Sequence, residues 1–201
     1  MPNWCRNTLA MKGIAGEERL FKDGEFSLDA IIPMPGELEI EDSTWTEKAA
    51  LLALAEEQGT DGLEEMSPEG QEAARRLLWN CSPETFRDIL GKARYTAEKL
   101  PEDRLEAFRA LGARALSNIR RYGHKTWYGW RCVNWGTKWE PWQTEVCGED
   151  AIEFFTAWGP PLPVIAELSA QYPGRPVTIT WLAEGGPLEE QVVSFLNGEE
   201  T

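Results

Sequence analysis

Residues 127–158 read WYGWRCVNWGTKWEPWQTEVCGEDAIEFFTAW and hold six of the ten tryptophans in a chain of 201 residues. An indole combines a large apolar area with one N–H donor, so a dense set of tryptophans builds either a buried core or an adhesive aromatic surface. Whether this stretch is core or surface decides the functional interpretation. The six residues are Trp127, Trp130, Trp135, Trp139, Trp142 and Trp158.

Charge is distributed unevenly along the chain. The net charge is −14, yet the run from Ala107 to Trp139 contains no acidic residue and seven basic ones, which leaves a net of −21 on the rest. The acidic average disfavours long-range attraction to nucleic acid or to an anionic membrane, whereas the basic run favours it locally. The seven basic residues are Arg109, Arg114, Arg120, Arg121, Lys125, Arg131 and Lys138.

Cysteine spacing and hydropathy indicate a reducing compartment. The four cysteines are far apart in the sequence and form no paired metal or redox spacing. No window approaches the roughly 18 apolar residues of a membrane span, and the N-terminus has no apolar signal region. We therefore expect free thiols, no membrane association and a cytoplasmic location.

Alternation of apolar and polar residues predicts strands at both ends of the chain. In the first, Cys5, Asn7, Leu9 and Met11 share one face. Two helical turns are expected over residues 15–22. The proline pair at 160–161 begins a later helix. The strands are predicted at residues 4–13, 143–147, 151–157, 177–182 and 191–196.

A helical pattern replaces alternation between Ser43 and Tyr122. Ser67-Pro68 and Ser82-Pro83 each combine a capping residue with a proline at the first helical position. The element order predicts an α+β fold: a ferredoxin-like antiparallel sheet with helices on one face and a large helical insertion. The predicted domains are residues 1–42 with 123–201 for the sheet and 43–122 for the insertion.

Four words of the sequence resemble a known family: MPNWCRNTL at the start, IIPMP at 31–35, WYGWRCVNWGTKW at 127–139 and FTAWGPPLPVIAELSAQYPG at 155–174. They look like phage- and plasmid-encoded proteins whose C-terminal part is called a YubB-type ferredoxin-like domain. The resemblance implies that fold and an origin on a mobile element. It implies no activity and no catalytic residues.

No catalytic or metal-binding constellation stands out from the residues. His124 and Cys132 could form a thiol–imidazole pair, but a histidine directly after a helix-ending glycine is more often a cap. The acidic run Glu37, Glu39, Glu41 and Asp42 is more typical of a solvated loop than of a cation site. We expect no enzyme activity, no cofactor and no resident metal.

Two functions remain, and both use the region around the tryptophans. The first is a protein-binding module, an accessory protein of a mobile element whose role could include inhibiting a host factor. The alternative is single-stranded nucleic-acid binding through residues 107–139, with bases stacked on indoles. Core packing competes with both, because buried aromatic residues are mostly structural. We expect the partner to be a host or phage protein; its identity and the oligomeric state stay open. The candidate surface comprises Arg120, Arg121, Trp127, Tyr128, Trp130, Arg131, Asn134, Trp135, Lys138 and Trp139.

Overall fold

The structure is a computed structural model that describes residues 3–78 and 81–201. The chain divides into two compact units, one formed by Met1–Met34 with Arg131–Thr201 and the other by Pro35–Trp130. We call them the sheet unit and the helical unit. The first two residues of the word MPNWCRNTL lie outside the described residues.

The sheet unit is built around the first strand. The described strands are β1 Trp4–Met11, β2 Phe21–Lys22, β3 Glu25–Phe26, β4 Trp142–Val146, β5 Ala151–Ala157, β6 Val177–Ala183, β7 Gln191–Leu196 and β8 Glu199–Glu200. Among the described residues, six of them form an antiparallel sheet in the order β4-β5-β1-β6-β7-β8, and β2 pairs with β3. β1 therefore lies in the interior, between β5 and β6.

Helix α6, Leu162–Gln171, connects β5 to β6 and contacts β6 and β7. Another helix, α5 Trp127–Asn134, precedes β4 in the chain. Apart from the helical insertion, the order is thus strand, helix, strand, strand, helix, strand, with the first strand between the third and the fourth. This is the ferredoxin-like arrangement, and the predicted α+β fold is confirmed. The helix expected over residues 15–22 is wrong, because two short 3₁₀ turns and β2 occupy that segment.

The two faces of β1 differ in burial. Cys5, Asn7, Leu9 and Met11 are buried on the core face, as the alternation predicts. Asn7 is satisfied there because its side-chain amide donates to the carbonyls of Cys5 and Phe154 and to the Thr156 hydroxyl, 2.8 Å away. On the opposite side, which we call the outer face, Arg6 and Ala10 are exposed.

The helical unit contains the long helices α1 Thr44–Gln58, α2 Pro68–Leu77, α3 Pro83–Lys99 and α4 Glu102–Tyr122. Ser67 and Ser82 cap α2 and α3 as predicted, and Ser43 caps α1 by accepting the Thr46 N–H. Gly112 on α4 lies against the backbone of α1: a Cβ there would stand 2.2 Å from the carbonyl oxygen of Ala49. Only glycine allows the two helices to approach so closely.

A candidate binding surface on the sheet

We call residues 134–139, NWGTKW, the tryptophan motif. Its residues Trp135 and Thr137 belong to the core of the sheet unit. Trp135 is 0% exposed, and its indole Nε1 donates a hydrogen bond of 2.9 Å to the carbonyl oxygen of Ile32. The Thr137 hydroxyl donates to the carbonyl of Ala157 at 2.9 Å. Between them, Gly136 has φ +78 and lies against the Pro160 carbonyl and the Pro163 ring. The motif therefore joins the IIPMP segment to the GPPLP segment.

Glu140 fixes the loop that precedes the IIPMP segment. Its carboxylate accepts the backbone N–H groups of Leu28 at 2.7 Å and Asp29 at 3.0 Å, and the Ser27 hydroxyl at 3.4 Å. Burial raises the pKa of the Glu140 carboxyl, and the two backbone hydrogen bonds oppose that rise. The carboxylate accepts hydrogen bonds from N–H and O–H groups of the loop, which indicates a structural role rather than a catalytic one.

Trp139, at the end of the motif, and two later tryptophans face solvent. Trp139, Trp142 and Trp158 are 37%, 41% and 45% exposed. Trp4 joins them: its ring centroid lies 5.1 Å from that of Trp142 and 6.2 Å from that of Trp139. Phe155 extends the group, 6.1 Å from Trp142. We call Trp4, Trp139, Trp142, Phe155 and Trp158 the aromatic face.

Two unusual backbone conformations lie beside these exposed indoles. Trp158 itself has φ +73, and Gln143, next to Trp142, has φ +53. The register of β4 against β5 shifts between Trp142 and Glu145, so Gln143 lies in an irregularity that can redirect its neighbour. A left-handed conformation costs a residue with a side chain about 1–3 kcal/mol and persists where surrounding structure imposes it. The fold carries this cost while leaving large apolar side chains in water.

Lys138 lies between two rings of the aromatic face. Its ammonium nitrogen is 3.8 Å from the ring centroid of Trp139 and 4.6 Å from that of Trp158. Both distances lie within the range of cation–π attraction. The two indoles thus form a site that accommodates a positive charge.

Most of the basic run is engaged within the helical unit. Arg109 pairs with Glu56, Arg120 with Glu57, Arg121 with Glu37 and Lys125 with Glu47. Arg114 donates to backbone carbonyls of the loop at residues 36–39. Internal carboxylates therefore neutralise much of the charge that made the run attractive for nucleic acid.

Two members of the candidate surface predicted from the sequence are not accessible. Trp130 and Trp135 are buried, so neither can supply an exposed ring, which corrects their assignment to a surface. Arg131 stacks over the Trp135 ring at 4.6 Å from its centroid. Trp127 and Asn134 are half-buried and Tyr128 is exposed. Trp139 belongs to the aromatic face, and Lys138 touches it.

Sequence reasoning missed Trp4 and Phe155 as members of this surface. A usable signal existed for Trp4, because strict alternation in β1 places it on the same face as Arg6, opposite the buried Cys5. Phe155 lies on the outer face through its register with Arg6 and Trp142, which depends on strand pairing.

Among residues 3–78 and 81–201, no group of three or more histidine, cysteine, aspartate or glutamate side chains could hold a metal ion, and no helix is long and apolar enough to cross a membrane. Burial raises the pKa of Cys5 to about 11, so its thiol stays protonated and unreactive at neutral pH. Burial and Arg76 lower the pKa of His124.

The fold and the surface together define an α+β protein with a ferredoxin-like sheet and an exposed aromatic face. Residues 134–198 match the model of a family described as a ferredoxin-like domain in Api92-like protein. A crystal structure of a protein Api92 from Yersinia pseudotuberculosis is similar over 100% of this chain and 96% of that one, with 12% identity and a TM-score of 0.43. At that score the likeness transfers no function. No curated protein matches the chain.

Proposed function

We propose that the protein is a non-enzymatic binding module that recognises another protein through the aromatic face. The observation that carries the proposal is the group of three exposed tryptophans in contact with Trp4 and Lys138. Tryptophan is enriched among the residues that dominate binding energy at protein interfaces. Clustered exposed apolar side chains on a monomer mark interaction sites.

The surroundings of the aromatic face favour a protein over nucleic acid. The sheet unit carries 7 basic and 16 acidic residues, a net of −9. Single-stranded nucleic acid needs cations that follow its phosphates in addition to stacking rings. Here Arg6 is paired with Glu190 at 3.2 Å, and Lys138 already lies over two indoles.

We further propose that the protein is an accessory protein of a phage or plasmid and that it acts on a host protein, for example by inhibiting it. This part of the proposal rests on the resemblance of the four sequence words to mobile-element proteins, and on the acidic surface that could complement a basic host protein.

The experiment is affinity capture from nuclease-treated bacterial lysate with three baits: the wild-type protein, Trp139→Ala/Trp142→Ala and Tyr95→Ala. Tyr95 is a matched control because it is an exposed aromatic residue of the helical unit, 65% exposed. We expect a protein retained by the wild type and by the control, and lost with the double variant. Equal retention by all three baits would contradict the proposal.

Nucleic-acid binding is the second candidate, favoured by exposed indoles that could stack on bases. A tryptophan-fluorescence titration with a mixed-sequence single-stranded oligonucleotide tests it at low and near-physiological salt. Saturable quenching that weakens with salt and disappears in Trp139→Ala/Trp142→Ala would replace the protein-binding proposal. We expect no saturable quenching.

A further inference from the structure

The aromatic face continues into a groove on the outer face of the sheet. A row of side chains crosses four strands, because Trp142 pairs with Phe155, Phe155 with Arg6, and Arg6 with Leu182. Trp4, Arg6, Phe155 and Leu182 line a groove of about 370 Å³ together with the loop at residues 183–188. This volume lies in the range of cavities that accept a ligand or a few side chains of a partner.

The loop at residues 183–188 is held against β1. The Trp4 N–H donates to the Glu184 carboxylate at 2.9 Å, and the Glu184 N–H donates to the Trp4 carbonyl at 2.8 Å. At the other end of the loop, Glu190 forms an ion pair with Arg6 on β1. The loop presents Leu188, which is 99% exposed. The groove is therefore a preformed feature with an apolar rim.

Carboxylates lie beside the row of side chains formed by Trp142, Phe155, Arg6 and Leu182. Glu145 on β4 is directly opposite Glu153 on β5. Both lie on the face of the sheet that carries Trp142 and Phe155. Like charges opposite each other across two strands destabilise a sheet. No ion pair to either carboxylate is formed by the described part of the chain. A cation supplied from outside would relieve this repulsion.

We infer that the outer face binds a basic segment of the partner protein, with an apolar side chain in the groove and arginine or lysine side chains against Glu145 and Glu153. Charge complementarity selects this occupant, because the adjoining carboxylates repel an acidic segment. The inference rests on the proposed function and narrows its partner class.

The probes are two short synthetic peptides of equal length, one alternating arginine with leucine and one alternating glutamate with leucine. Their binding to the full-length protein is measured by tryptophan fluorescence at about 150 mM salt, where remote charges are screened. The wild type should bind the arginine peptide and not the glutamate peptide. Equal binding of the two peptides would overturn the inference.

The matched variants separate local recognition from general attraction to an acidic protein. Glu145→Gln/Glu153→Gln and Glu199→Gln/Glu200→Gln remove the same charge from the sheet unit, and the second pair lies on the edge strand β8. Loss of two ion pairs at the rim should lower the affinity of the first variant for the arginine peptide about fivefold. The affinity of the second variant should stay within about twofold of wild type. Equal losses in both variants would overturn the inference.

Failure of this inference is distinguishable from failure of the proposed function. If the arginine peptide binds no better than the glutamate peptide while lysate capture still depends on Trp139 and Trp142, the partner is not basic but the binding module stands. If lysate capture is indifferent to Trp139 and Trp142, the proposed function fails whatever the peptides do.

Discussion

The indole Nε1 of Trp135 donates a hydrogen bond of 2.9 Å to the carbonyl oxygen of Ile32, which joins two segments about a hundred residues apart in the chain. We predict that Trp135→Phe lowers the free energy of unfolding by about 1–3 kcal/mol, because it leaves that carbonyl without its donor. Urea denaturation measures it. Trp139→Phe, at an exposed ring, is the control and should change it by less than about 0.5 kcal/mol.

Gly136 tests how closely the motif packs on the proline segment. It has φ +78, and a Cβ would lie 3.0 Å from Pro163 Cδ and 3.2 Å from the Pro160 carbonyl. Gly148 has a similar φ of +83 with nothing within 4 Å. Both alanine variants carry the conformational cost, but only Gly136→Ala also has a clash, worth about 1–3 kcal/mol more. Equal unfolding free energies for the two variants would show that the close approach is unimportant.

A second glycine pair tests the helical unit. Gly112→Ala places a methyl group 2.2 Å from the Ala49 carbonyl oxygen, so α1 and α4 must separate. We predict a loss of more than about 2 kcal/mol, measured by thermal unfolding. Gly91 on α3 has open space around it, and Gly91→Ala should stabilise the protein by about 0.5–1 kcal/mol because alanine favours a helix. A mild effect at Gly112 would mean that the two helices are less closely packed than described.

Glu140 gives the stability a defined pH dependence. Its pKa is raised in the folded protein by burial, so its contribution is fully present below the unfolded-state pKa of about 4.3 and is lost as pH rises through the folded-state pKa. The unfolding free energy of the wild type minus that of Glu140→Gln should therefore decrease as pH increases from about 4 to 7. Denaturation across that range measures it. A difference that grows with pH would mean that the backbone donors of Leu28 and Asp29 outweigh burial.

Local chemistry predicted much of the fold. The serine–proline pairs mark the starts of α2 and α3, and alternation identifies the core face of β1. The helix α5 was missed because nearly every residue of WYGWRCVN is aromatic, basic or small, so no apolar periodicity contrasts with a polar face.

The binding surface was harder to predict than the fold. Trp135 and Trp139 are four residues apart in one motif, yet one is buried and the other is exposed. The backbone turns between them at Gly136, so helical spacing does not relate their side chains. Trp4 reaches Trp142 only because β1 and β4 both flank β5. Pairing of distant strands sets such contacts, and residue patterns do not encode it directly.

The most direct test of the account compares side-chain oxidation in the purified protein and in nuclease-treated bacterial lysate by hydroxyl-radical footprinting. Oxidation of Trp139, Trp142 and Trp158 is normalised to that of Tyr95 in the same molecule, which corrects for radical scavenging by the lysate. We predict that the normalised oxidation of these tryptophans falls in lysate, because a partner protein covers the aromatic face. Unchanged ratios for all three tryptophans would contradict it.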